Sequence, residues 1–297
     1  MHNITNTLNG INEVKISLNL KEHLNFYDFS MIETTIENGN KIISEINKTI
    51  HSTITKGKYG SFEIQLETFD FEYKNRNVST TEKDFIARIA DINDNIIIEI
   101  NEYAEIKAIQ NLNKIQLRLE EKIEKLAKNN VGDKVNETFQ YLRDFYKNEK
   151  RIILDTKNYK QHGLLLNTFY GSYTPTSYKK NKIRYLNFMD NTVVNIEEQA
   201  KVRRIKIEKR ELEIEVTGKF DEPFYNDMFI KSLQEKEIFF DAENDKPILD
   251  KYEGSFIFDM DFGVVKSANI TIEFSFGKNY NKTINYQLKE TNDADNN

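Results

Sequence analysis

The chain has 297 residues, 38% of them hydrophobic and including 20 Phe and 15 Tyr, which is enough apolar surface for a substantial core and too much for a disordered chain. Charged residues reach 30%, yet the formal net charge is only −6 and the pI about 5.5, a balance that argues against a nucleic-acid binder. Cysteine is absent, so disulfides, thiolate metal ligands and cysteine nucleophiles are excluded.

Residues 1–10 are polar and lack the basic-then-apolar layout of a secretory signal. No stretch approaches the ~18 continuous apolar residues of a membrane span. The expected location is therefore cytoplasmic.

Residues 11–100 read mostly as strands. Val14, Ile16 and Leu18 alternate with polar partners, the period-two mark of a half-buried strand. Met31 to Thr55 is rich in Ile and Thr and turns at Glu37-Asn38-Gly39-Asn40. Phe62, Ile64 and Leu66 share one parity, and Phe69, Phe71 and Tyr73 share the other, which predicts a bulge or turn near Glu67 and Thr68. Ile96, Ile97, Ile98 and Ile100 supply a buried, β-branched strand.

At Glu102 the period changes. Ile106, Ile109, Leu112, Ile115, Leu119, Ile123 and Leu126 recur at three and four residues, predicting one amphipathic helix that ends near Asn129, Asn130 and Gly132. A second helix starts at Asp133 with Val135, Phe139 and Leu142 on its apolar face, and Ile152 to Tyr170 suggest a third helical segment. Gly171 to Lys182 reads as a loop. Strands then return: a pair joined at Asp190-Asn191, two runs around Ile205 to Val216, a turn at Asp221–Pro223 and a short helix from Asn226 to Gln234. Ile270, Ile272, Phe274 and Phe276, a turn over Gly277–Asn281, and Ile284, Tyr286 and Leu288 form the clearest hairpin.

The expected fold class is α+β, with two antiparallel, curved β-regions flanking a central helical segment. The two regions rhyme in layout, as a duplication would leave them. The expected organisation is an N-terminal β-region over 1–101, a helical segment over 102–170, a C-terminal β-region over 183–290 and a disordered tail over 291–297.

No motif carries chemistry. Asp261-Phe262-Gly263 spells the magnesium-binding triplet of protein kinases, but the chain has neither a glycine-rich phosphate loop nor a His-Arg-Asp. The histidines His2, His23, His51 and His162 show no metal-ligand spacing, and no Gly-x-Ser-x-Gly elbow exists. Glu63, Glu67 and Glu72 face water on a simple sheet rather than lining a glycosidase groove. The basic stretch from Lys201 to Arg210 runs straight into Glu211, Glu213 and Glu215 and reads as a solvated strand face. No catalytic residue, metal or cofactor is assigned.

What remains is aromatic. Phe69, Phe71 and Tyr73, with Phe224, Tyr225 and Phe229, are candidates for an apolar groove, the alternative being that they fill the core. The segment DNIIIEIN at Asp94–Asn101, followed by a Glu/Lys-rich helix, and YEGSFIFD at Tyr252–Asp259 resemble uncharacterised proteins of Bacteroidota-type genomes. The resemblance implies no activity and carries over no functional residue.

The reading favoured by the sequence is a non-catalytic interaction protein. It would be a scaffold, adaptor or chaperone-like part of a larger assembly, phage-derived or secretion-associated, with another protein as partner. The alternative is a binder of an apolar small molecule in a curved β-sheet cavity, and an enzyme ranks below both.

Overall fold

The computed structural model describes residues 13–19, 22–75, 77–79, 85–86, 89–167, 169–174, 177–186, 193–221, 227–241 and 243–291. Its frame is one antiparallel sheet built from both β-regions. Strands β2 (His23–Glu37), β3 (Asn40–Lys56), β4 (Phe62–Asn75), β5 (Asn95–Ile100) and β6 (Ile106–Ile109) form a meander running outward from the middle. Strands β8 (Lys179–Leu186), β9 (Val193–Lys206), β10 (Glu211–Phe220), β11 (Pro247–Asp259), β12 (Val265–Phe276) and β13 (Tyr280–Thr291) form a second, running inward. The two join where β13 pairs with β2, from Tyr280 opposite Glu37 to Thr291 opposite Phe26, which makes an 11-stranded sheet. Two short strands, β1 (Val14–Ile16) and β7 (Gly171–Tyr173), pair separately.

Local sequence explains the tight turns. Asn38 and Gly39 both sit at positive φ, 49° and 83°, and close the β2–β3 hairpin with Glu37 opposite Asn40, as the Asn-Gly pair predicts. The β12–β13 hairpin forms as read, turning between Phe276 and Tyr280 with Gly277 at φ 56°. The turn read at Asp190-Asn191, most of that read at Asp221–Pro223 and tail residues 292–297 lie outside the described residues; Thr291 closes β13.

Because β6 and β8 are opposite edges of the sheet, the chain between them must cross one whole face. That crossing carries α1 (Leu112–Ala127), α2 (Asp133–Tyr146) and α3 (Glu149–Thr156), then a run of turns to Phe169 and Tyr170. It buries Ile115, Leu119, Ile123 and Leu126 of α1 and Phe139 of α2, the stripe the three-and-four spacing marks. Ring contacts lay its later part across the sheet: Tyr159 on Tyr286, Phe169 on Phe256 and Tyr170 on Phe258. A fourth helix, α4 (Asp227–Glu235), covers the end of β12. The opposite face of the sheet stays partly open, with Leu24, Ile32, Ile43 and Phe69 exposed.

Several expectations need correction. The helix read from Ile106 begins only at Leu112, because Ile106–Ile109 pairs with β5 as β6. Asn101 enforces the break: its side-chain oxygen accepts from the backbone N–H of Tyr103 and Glu105 and turns the chain back. The third helix stops at Thr156, and residues 157–166 fold as successive turns. The loop read over 171–182 contains β7 and the start of β8. The parity break in β4 falls later than Glu67 and Thr68: Asn47 faces Glu72 and Thr49 faces Phe69, so Lys48 alone spans Asp70 and Phe71. Asp70, at φ 52°, is the bulge residue.

Candidate functional site

The bulge at Asp70 sorts the aromatic residues of β4 between the two faces of the sheet. It leaves Phe69 on the open face, 43% exposed, and turns Phe71 and Tyr73 inward under the crossing helices. The strand it faces, β3, points Ile46, Lys48, Ile50, Ser52 and Ile54 to the covered side. Lys48 is therefore an inward lysine on a central strand, only 7% exposed.

Between β3, β4 and the helices lies a cavity of about 430 Å³. Its walls are aromatic and aliphatic: Ile46 and Phe71 and Tyr73 from the sheet, Leu142, Phe145 and Tyr146 from α2. Its polar lining comes from Lys48, from Asp155 on α3, from the turn Lys160-Gln161-His162, and from Thr68 and Asn93.

The polar groups are incompletely satisfied. Lys48 Nζ donates to the backbone carbonyls of Gln161 at 3.0 Å and Lys160 at 3.3 Å and lies 4.8 Å from the centre of the Phe29 ring. An ammonium has three donors, and these two carbonyls use two. His162 is 4% exposed and its Nδ1 has no hydrogen-bond partner; Asn93 Oδ1 is likewise buried and unpartnered. An unpartnered buried polar atom costs about 1–3 kcal/mol, so each needs a reason to be tolerated.

Burial also moves the titrations. Desolvation brings the Lys48 ammonium down to about 7, helped by Lys160 and opposed by Asp155. Desolvation pushes the Asp155 carboxyl up to about 6 against the pull of Lys160 and Lys48. Desolvation, with the Lys48 charge beside it, holds the His162 imidazole well below its ordinary value and so neutral.

Of the residues expected to form a groove, Phe71 and Tyr73 line this cavity and Phe69 does not. Phe229 is 0% exposed and packs on Phe274 and Phe276, a core residue far along the sheet rather than part of the same groove. Phe224 and Tyr225 lie outside the described residues. The other histidines are not brought together: His23 stacks on Phe262 at 4.1 Å, and His51 sits between Phe26 and Phe69 on the open face. Asp261-Phe262-Gly263 is the β11–β12 turn, with Gly263 at φ 70°.

The basic stretch is neutralised across strands. Lys201 pairs with Glu215, Arg203 and Arg204 with Glu213, Lys206 with Glu211, and Arg210 with Asp261. Among the described residues no group of three or more His, Asp or Glu is placed to hold a metal ion, and no helix is long and apolar enough to cross a membrane.

Sequence reasoning missed Lys48 and Asp155 and weighed His162 only as a metal ligand. The available signal was Lys48 standing in phase with Ile46, Ile50 and Ile54, an inward position where the apolar alternation admits a charge.

No protein-family model and no curated protein matches the sequence. Among solved structures, one of lipovitellin, determined in connection with its lipid–protein interactions, is similar at TM-score 0.41 and 9% identity. The match covers 91% of this chain and 25% of that one, so this chain spans about a quarter of its length. A likeness that distant carries no argument about fold or function.

Proposed function

We propose that the chain is a non-catalytic binder of an apolar small molecule, held between β3, β4 and α2. The observation that carries this reading is the cavity of about 430 Å³ with its aromatic and aliphatic walls. Its volume falls in the range typical of small-molecule sites, and its few polar groups converge at one place, as orienting groups do. Shifted titrations in such a cavity add to the case.

An interaction protein of this kind would offer the apolar face of its long amphipathic helix to a partner. In the fold, Ile115, Leu119, Ile123 and Leu126 are spent inside the chain itself. The binder reading needs no such free face.

The test is uptake of an environment-sensitive apolar fluorophore, with native mass spectrometry of the purified protein. Saturable uptake at one site is expected, and Leu142→Trp, which fills the cavity, should abolish it while leaving the fold intact by circular dichroism. A protein that takes up no probe and carries no co-purified molecule would refute the reading, as would uptake indifferent to Leu142→Trp.

A further inference from the structure

The cavity between β3, β4 and α2 has one charged end, where a buried amine stands without an ion pair among the described residues. Of its two amines Lys48 is buried and Lys160 exposed, and Asp155 supplies the one carboxyl among the described cavity-lining residues. Lys48 meets only neutral groups, two backbone carbonyls and the Phe29 ring, and neither lysine forms an ion pair with a described residue. A further buried cation, Lys282 on β13, is already paired with Glu33 on β2 at 3.1 Å. Burial pushes the Tyr146 hydroxyl up, so it adds no charge there. The buried Lys48 amine therefore has no ion-pair partner among the described residues, at a place where isolated charge is costly.

Beside it stands a ring nitrogen with nothing to bind. The His162 side chain is 4% exposed, lines the same cavity and has an unpartnered Nδ1. A neutral imidazole can carry its proton on Nδ1 and donate it. The third Lys48 N–H also meets no acceptor among the described residues. A buried amine with an unused N–H, beside an Nδ1 able to carry a proton, calls for an anionic oxygen acceptor, and apolar walls call for the rest of the molecule.

On the reading that this cavity binds an apolar molecule, we propose that its ligand is a monoanionic amphiphile, a carboxylate on an apolar body. The head accepts from Lys48 and His162, and the body lies along Phe71, Leu142 and Phe145. A carboxylate suits the site because it offers two acceptor oxygens to two donors while adding one negative charge. The same head pairs with Lys48 as a cation, so binding pulls that amine back toward its protonated form. A primary amine head would meet two lysines and be repelled; an alcohol head would fill one acceptor need and leave the charge unpaired.

The experiment titrates wild type with dodecanoate, dodecanol and dodecylamine, each below its aggregation limit, by displacement of the apolar fluorophore near pH 6.5. Dodecanoate should bind about tenfold or more tighter than dodecanol, and the amine weakest. Lys48→Met, which keeps the side chain's bulk and removes its charge, should bring dodecanoate to the level of dodecanol and leave dodecanol unchanged. His162→Gln should narrow the same preference while retaining dodecanol. In wild type the preference should also decline as pH rises past about 7 and the Lys48 ammonium empties. Equal binding of dodecanoate and dodecanol would overturn the head assignment and leave the apolar site standing. A preference that survives both Lys48→Met and His162→Gln would place the head elsewhere. Failure of all three ligands and of the fluorophore would sink the cavity reading itself.

Discussion

Tyr159 donates its hydroxyl to the Glu198 carboxylate at 2.6 Å, which ties the crossing segment to β9 through a side chain that is 0% exposed. Tyr252 of β11 donates to the same oxygen, and Asn181 of β8 donates to the other at 3.2 Å. One residue further along the crossing, Lys160 and Gln161 accept from Lys48 of β3. The stretch 159–161 is thus held to both meanders by two buried ionisable groups of opposite kind.

Burial pushes the Glu198 carboxyl up to about 7, opposed by the three hydrogen bonds it accepts. Its folded value then lies above the unfolded value near 4.5, so the folded state holds the proton more tightly between the two. Stability from this group is greatest below about pH 4.5, falls as pH rises to about 7, and is level above that. The full loss is about 3 kcal/mol. Glu198→Gln should flatten that decline and raise the melting temperature at pH 8, whereas Glu198→Ala should lower it by removing a buried acceptor shared by Tyr159, Tyr252 and Asn181, at about 2–4 kcal/mol. Melting followed by circular dichroism from pH 5 to 8 separates these outcomes.

Lys48 has the opposite sense. Its folded value of about 7 lies below the ordinary 10.5, so the cost of burying its charge is complete below about pH 7 and fades as pH rises toward 10.5. Relative to Lys48→Met, wild type should gain about 2–3 kcal/mol between pH 6 and pH 9. Lys48→Met should match or exceed wild-type stability at pH 6, since replacing a buried charge by an apolar group of similar volume is often neutral or better. Denaturant melts at the two pH values measure the difference, and a constant gap would remove the burial argument.

The aromatic residues should divide sharply. Phe69→Ser, on the open face, should change stability by no more than about 0.5 kcal/mol and leave ligand uptake alone. Phe71→Ala should weaken uptake. Phe229→Ala, with Phe274 and Phe276 left around a void, should cost about 3–5 kcal/mol without touching the cavity. Parallel unfolding curves and probe titrations of the three variants test the assignment.

The sheet was legible wherever alternation ran uninterrupted, as in Ile270–Phe276 and Ile284–Leu288, and the Asn38-Gly39 turn was legible from its backbone demand. Ile106 and Ile109 misled because spacing at i and i+3 serves a helix, while pairing with Ile98 and Ile100 is tertiary and leaves no local trace. Phe69 was grouped with Phe71 because a bulge can sit at any nearby residue, and only the left-handed Asp70 shows where. The cavity was illegible for a different reason. Lys48 is far in sequence from Asp155 and His162, and nothing short of the crossing path from β6 to β8 brings them together. The charge in phase with the apolar alternation, at Lys48 and again at Glu198 between Ile196 and Ala200, was the visible sign.

Gly163 joins the fold to the site. A Cβ there would lie 2.1 Å from the Lys157 carbonyl oxygen and 2.7 Å from the Asn158 carbonyl carbon, both backbone atoms that no rotamer can move aside. The turn it closes, with the Gly163 N–H donating to the Asn158 carbonyl at 2.9 Å, holds the Lys160 and Gln161 carbonyls against Lys48. Gly163→Ala must therefore open that turn, and we expect a loss of about 2–4 kcal/mol together with a weaker preference for dodecanoate over dodecanol. Gly39→Ala is the control: Gly39 sits at φ 83° with nothing within 4 Å of its would-be Cβ, so the change strains a remote hairpin by about 1 kcal/mol. Its binding preference should equal that of wild type. If Gly163→Ala lost stability but kept the full preference, the turn would be a structural clasp and the head-binding role of Lys48 and His162 would not depend on it.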